Sequence, residues 1–201
     1  MRRCAPLLVT AVLGIGSMCI TRDASALGPV DIEVTGAVGG GTDPLTTGGP
    51  NPLGFGIGWH AGVAFHGLYG GVALVYYFGG SERNGVGGSA SDHTLTYGIE
   101  AGYELRIVGA LTVRPQVGVG DFVLTFDPGA CTLCNITQTN GSSTISSLYL
   151  QPGVAALFSL GKWLLGVDAS ALVLPSITEP YATVATTDVA FTADVQAGAR
   201  F

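Results

Sequence analysis

Between residues 53 and 65 the chain alternates without a break. Leu53, Phe55, Ile57, Trp59, Ala61, Val63 and Phe65 fall on one face of an extended strand. Gly54, Gly56, Gly58, His60, Gly62 and Ala64 fall on the other. Side chains of a strand point alternately to its two faces, so this is a strand with one fully apolar side. The opposite side is what constrains the fold. Glycine weakens a strand that faces water, and it suits a face where there is little room. A narrow, closed barrel with its apolar face outward provides such a place.

The same pattern recurs seven more times. It predicts strands over residues 30–38, 68–78, 93–106, 111–126, 147–158, 163–173 and 189–201. The connections alternate in length. Those after residues 65, 106 and 158 are short, and those after 38, 78, 126 and 173 are long and rich in Gly, Ser, Thr, Asn and Pro. The longest carries Cys131 and Cys134. Apolar residues make up 47% of the chain and charged ones only 11%. Yet no segment beyond the N-terminal region has the roughly 18 consecutive apolar residues of a spanning helix. A membrane-like composition without such a helix leaves a closed β-barrel as the means of satisfying the backbone in lipid. The expected fold is therefore all-β: an eight-stranded antiparallel transmembrane up-and-down barrel, with short turns at the periplasmic end and long loops outside.

The N-terminus is read separately. Arg2 and Arg3 precede an apolar run from Cys4 to Ile20, and small residues follow at Ala24 and Ala26. This matches a secretory signal peptide over residues 1–26, leaving residues 27–201 as the barrel domain. Removing Arg2, Arg3, Arg22 and Asp23 takes the net charge from −6 to −8. Such acidity argues against nucleic acid as a partner. Cys131 and Cys134 would meet an oxidising compartment. With no second CxxC and no nearby histidine, a zinc site is poorly supported, and a disulfide stiffening the loop is expected.

The alternation also assigns charges to the inner face. Asp31, Glu33, Glu100, Glu104, Asp168 and Asp194 are expected there, with Arg106, Arg114 and Arg200. Charges in a narrow interior must pair or be hydrated, so an ion-paired network that blocks free flow is expected. Acids outnumber bases six to three in that set, which keeps a narrow cation path as an alternative. One segment breaks phase: Asp121 falls on the apolar face. Either a bulge near Gly120 re-aims Phe122, Leu124 and Phe126 outward, or Asp121 already stands above the membrane.

The last strand carries the most specific likeness. Phe191, Ala193, Val195, Ala197, Ala199 and Phe201 alternate up to a terminal aromatic. In this, and in its eight-segment pattern, the chain resembles the small outer-membrane barrels of the OmpA-transmembrane and OmpX-like group. The resemblance implies a Gram-negative outer-membrane location in contact with lipid and lipopolysaccharide. It implies that Phe191, Val195 and Phe201 form a signal for the barrel-assembly machinery. It implies a structural or surface-interaction role through the long loops, toward an unidentified extracellular ligand, with no cofactor and no catalysis. Two alternatives are carried: a small pore or hydrophobic-solute conduit, and a lipid A-modifying enzyme in which His93 is the one suitably placed histidine.

Overall fold

The computed structural model describes residues 30–42, 51–83, 89–127, 142–177 and 186–201. The expected signal segment and the Cys131–Cys134 pair lie outside the described residues. Eight long strands run β1 Val30–Gly41, β2 Phe55–Phe65, β3 Leu68–Tyr77, β4 Ser89–Tyr103, β5 Leu111–Asp127, β6 Ser143–Leu160, β7 Trp163–Ile177 and β8 Thr186–Arg200. Two short pieces flank β4: Ser81–Arg83 pairs with its start, and Leu105–Val108 continues it against β5. Every long strand is antiparallel to its neighbours, and β1 pairs with both β2 and β8, which closes the sheet.

The short connections are hairpins whose chemistry fits their geometry. In His66-Gly67 both residues have positive φ, 51° and 84°, which matches the right-handed strand twist in a two-residue turn. Gly109 and Gly161 open the other two two-residue loops at φ 52° and 63°.

The seam is held beyond the strand ladder. Ile32 N–H donates to Phe201 O at 3.0 Å, Phe201 N–H donates back to Ile32 O at 2.9 Å, and Arg200 N–H donates to Lys162 O.

Register fixes the dimensions. Stepping across partners from Asp31 leads through Ala64, Tyr69, Gly102, Gln116, Gly153, Ser170 and Thr192 back to β1 at Gly41, ten residues along. Eight strands with that stagger, at a rise of about 3.3 Å and a spacing of about 4.7 Å, tilt by about 40° around a radius of about 8 Å. Each residue then climbs about 2.5 Å along the barrel axis.

The outer face carries the apolar set. On β7, Trp163, Leu165, Val167, Ala169, Ala171 and Val173 point outward. This row is about 25 Å tall, the height of a lipid belt. The same geometry sorts most outward aromatics into two rings about 20–25 Å apart. Phe65, Phe158, Trp163 and Phe201 lie at the short-turn end. Phe55, Tyr76, Phe78, Tyr97 and Phe191 lie at the other, where Phe55 stacks on Phe78 at 5.8 Å and Tyr76 meets Phe78 edge-on at 5.2 Å. Trp59 lies between the two.

Of the two readings of the phase break on β5 the bulge is ruled out, and one further expectation is corrected. There is no bulge at Gly120: β4 and β5 stay in register from Ser91↔Asp127 to Gly102↔Gln116. Phe122 and Leu124 consequently point inward and are fully buried. Asp121 stays on the outer face at the upper ring, hydrogen-bonded to the Tyr97 hydroxyl. Leu53 also turns inward, because it lies in the turn preceding β2, pinned by Leu53 N–H to Asn51 Oδ1 at 2.9 Å.

Candidate functional site in the barrel interior

The interior has three storeys. The lowest, near the short turns, is an ion cluster drawn from β1, β5, β8 and the residue that follows β4. Arg114 Nη1 donates to Glu33 Oε2 at 2.8 Å and lies 3.7 Å from Glu104 Oε1. Arg200 Nη2 donates to Glu33 Oε1 and to Glu104 Oε1, and Asp31 Oδ2 is 3.8 Å from Arg200 Nη1. The Arg114 guanidinium also sits 3.6 Å over the Tyr69 ring, a cation–π contact in a desolvated place. Glu33 and Arg114 are almost completely buried. A buried ion pair is weak evidence for stability, because desolvation offsets the attraction, but losing one partner strands the other. The cluster fills the lower part of the interior.

Glycine makes this packing possible. A Cβ at Gly71 would come 2.5 Å from the Tyr69 hydroxyl, and one at Gly56 2.6 Å from Tyr77 Cδ1. Real side chains do not approach so closely. The glycine-rich inner face is the seat of the tyrosine rings.

The middle storey is polar. His60 Nδ1 and Glu100 Oε1 are 2.9 Å apart, and the Tyr69 hydroxyl donates to the same oxygen at 3.2 Å. Gln116 accepts from Arg114 Nε at 3.1 Å and donates to Asp168 Oδ2 at 2.7 Å, linking the two lower storeys. Ser170 and Thr192 hydroxyls are 2.7 Å apart, and Gln151 donates to Ser170 at 2.7 Å. Asp168 and Asp194 are direct cross-strand partners on β7 and β8, both buried. A cavity of about 20 Å³ opens among His60, Glu100, Gln116, Tyr149, Asp168 and Asp194.

The upper storey is built around an apolar cluster, with Asp92, Thr94, Ser147 and Asp188 also buried at that level. Leu53, Val75, Tyr77, Phe122, Leu124, Tyr149, Leu172, Leu174 and Ala190 form one buried cluster, with Ile145 packed against it. It spans the upper aromatic ring and extends above it. At that level the outer face turns polar: Ser91, His93, Thr125, Ser146 and Thr187 point outward. The strands thus invert their polarity along their length without changing register.

The structure therefore brings together Asp31, Glu33, Glu104, Arg114 and Arg200 in one group and sets Glu100, Asp168 and Asp194 above it. Arg106 joins neither. It is exposed at the lower rim, beside a register shift between Arg106 and Val108, and makes no ion pair among the described residues. Phe191, Val195 and Phe201 all point outward and are more than half exposed.

The fold is that of the small outer-membrane barrels. A major outer membrane protein from Thermus thermophilus superposes over 87% of this chain and all of its own, with TM-score 0.63 and 13% identity. Neisserial surface protein A superposes over 85% of this chain and 95% of its own, with TM-score 0.53 and 13% identity. No known sequence family and no curated protein matches the chain, so the likeness is one of architecture.

Sequence reasoning missed the upper storey and the neutral partners Tyr69, Gln116 and Gln151. A signal existed for the latter: all three occupy inner-face positions in the alternation. For the upper storey the signal was the phase break itself, which marks a change of surroundings.

Proposed function

We propose that this chain is a bacterial outer-membrane barrel whose long loops carry a surface-interaction role, and that its interior conducts nothing. The observation that carries the reading is the inversion of polarity. Over about 25 Å the barrel is apolar outside and polar inside, as lipid demands. Above that height an apolar cluster fills much of the inside, beside the buried Asp92, Thr94, Ser147 and Asp188, and the outside is polar, as water demands. The strands therefore stand above the lipid as a rigid collar on which the loops are mounted, the arrangement suited to recognition. Thermus and neisserial proteins of this fold are an outer membrane protein and a surface protein, and the proposed setting agrees with theirs.

In this reading the belt meets membrane lipid and lipopolysaccharide, and the β8 face with Phe191, Val195 and Phe201 is presented to the barrel-assembly machinery. An unidentified extracellular ligand meets the loops. The upper cluster, packed around side chains with no exposure such as Leu53, Phe122 and Leu174, opposes both a pore and a hydrophobic conduit. Catalysis at the rim finds little support either. His93 points outward against the Tyr76 ring at 5.7 Å, whereas the neighbouring Asp92 turns inward to accept from Gly80 N–H.

Two measurements test this. In a variant lacking Cys131 and Cys134, a cysteine at Thr125 or Thr187 should react on intact cells with a membrane-impermeant maleimide, and one at Ser159 should not. The refolded barrel should give no stable conductance step in a planar bilayer. Equal labelling at both ends, or a steady selective current, overturns the proposal.

A further inference from the structure

We propose that the barrel opens sideways at one place, the upper part of the seam between β6 and β7, and that this opening gives access to the apolar cluster behind it. From Leu160↔Trp163 to Gly153↔Ser170 the two strands pair without a gap. Above that they make a single pair, Leu150↔Val173, although β6 starts at Ser143 and β7 runs to Ile177. The register is the same on both sides of the gap, so neither strand has slipped. Each stays attached to its other neighbour. β6 pairs with β5 as far as Phe126↔Ser143, and β7 pairs with β8 as far as Thr186↔Ile177.

Two prolines account for the gap. Ser159 N–H donates to Ala110 O, so odd-numbered residues of β6 turn their backbone groups to β5 and even-numbered ones to β7. Arg200 N–H donates to Lys162 O, which leaves the odd-numbered residues of β7 facing β6. Pro152 on β6 therefore faces Ala171, and Pro175 on β7 faces Leu148. Proline has no N–H to give, so each strand lacks a donor where the other offers a carbonyl. At the upper of these positions the carbonyls are bonded by side chains instead. Leu148 O accepts from the Ser147 hydroxyl at 3.2 Å, and Pro175 O from the Thr187 hydroxyl at 2.9 Å. Prolines belong at a sheet edge, yet these two face each other's strand inside a closed sheet. Pro115 gives the contrast. On the β4–β5 seam it accompanies the loss of two pairs, and the ladder resumes at Leu105↔Val113.

Tyr149 on β6 and Leu172 and Leu174 on β7 flank the gap on the inner face, and all three belong to the apolar cluster. Packing, rather than a ladder, holds the seam there. The outward row of β7 ends at Val173, so the gap spans the upper boundary of the proposed lipid belt. An opening at that height uncovers apolar surface and leaves the ion cluster below untouched. The inference rests on the membrane reading only for what stands outside the seam. The seam itself is tested in detergent, so its failure would leave that reading standing.

The test uses the refolded barrel. The amides of Leu150 and Val173, on the isolated pair, should exchange hydrogen about 10-fold or more faster than those of Gly120 and Tyr149, a pair on the adjoining seam. Thiol labelling reads access to the cluster. With the native cysteines replaced by serine, Leu172→Cys should react with N-ethylmaleimide several-fold faster than Val75→Cys, whose strand is paired at that level on both sides. Static burial gives the opposite order, since Leu172 is 1% exposed and Val75 6%. Pro152→Val and Pro175→Val return a donor to the seam and should slow both exchange and labelling. Pro115→Val should change neither. If the cysteine variants do not fold, amide exchange decides alone. Equal exchange on the two seams overturns the proposal, as does slower labelling at position 172 or an unchanged exchange rate in both proline variants.

Discussion

The lower two-thirds of the barrel and its upper third are built from the same strands, yet they obey opposite rules. In the lower part Val117 and Val119 face out while Arg114 and Gln116 face in. A few residues further along β5, Asp121 faces out and Phe122 faces in. Nothing in the backbone changes between them. On the proposed reading, what changes is the solvent on the outside. Lipid accepts valine and rejects aspartate, so the charge is carried inside, where arginine and tyrosine can meet it. Once the strand emerges into water, burying apolar surface becomes the favourable arrangement again. The two parts of one strand thus record the two media it crosses.

The contrast can be broken from either side. The largest effect is expected from Arg114→Leu. It leaves Glu33 and Glu104 in the lower cluster with one guanidinium between them, and stranding a buried charge costs about 3–5 kcal/mol. Urea unfolding of the refolded barrel should show the loss, and bilayer recording should show whether the lower end has opened. Phe122→Ala attacks the upper part, where a large-to-small change in a packed core costs about 3–5 kcal/mol. Its loss should appear in the same urea series, with the bilayer still silent because the lower cluster is intact.

A matched pair of charges on the outer face sharpens the boundary. Val167→Arg, at mid-belt, should cost about 2–4 kcal/mol, and Thr125→Arg, above the belt, less than about 1 kcal/mol. Equal costs would remove the distinction between the two regions. The smallest effect belongs to Asp121→Asn. It keeps a partner for the Tyr97 hydroxyl at the interface and should shift the urea midpoint by no more than a surface substitution does, within about 0.5 kcal/mol.

Much of this fold was legible in the sequence because period-two alternation is read directly from residue types. The eight strands, the short turns and the inward set on β1, β7 and β8 all follow from it. What failed on β5 did so for one reason: alternation gives the face and not the surroundings. Asp121 was in phase all along. The expectation of a bulge arose from assuming that the outer face must be apolar along its whole length. Arg106 failed differently. It keeps the parity of the inner face, but Glu104 interrupts the strand and the register shift beside it leaves the side chain at the rim. The partners of Glu33 could be narrowed to Arg200 by closure, since β8 must meet β1. Arg114 reaches Glu33 across the barrel, a contact that no pairing register reveals.

The seam at Phe201 has a consequence in time. Most neighbouring long strands are joined by a connection that can form while the rest of the chain is still arriving. The contact between β1 and β8 is different: it brings Glu33 beside Arg200 and Ile32 beside Phe201. Until that pairing is made, β1 and β8 present open edges, and the lower ion cluster lacks Arg200. Closure joins the first of these strands to the last, and the lower cluster gains Arg200 in the same step; a pairing so distant in sequence is slow to form.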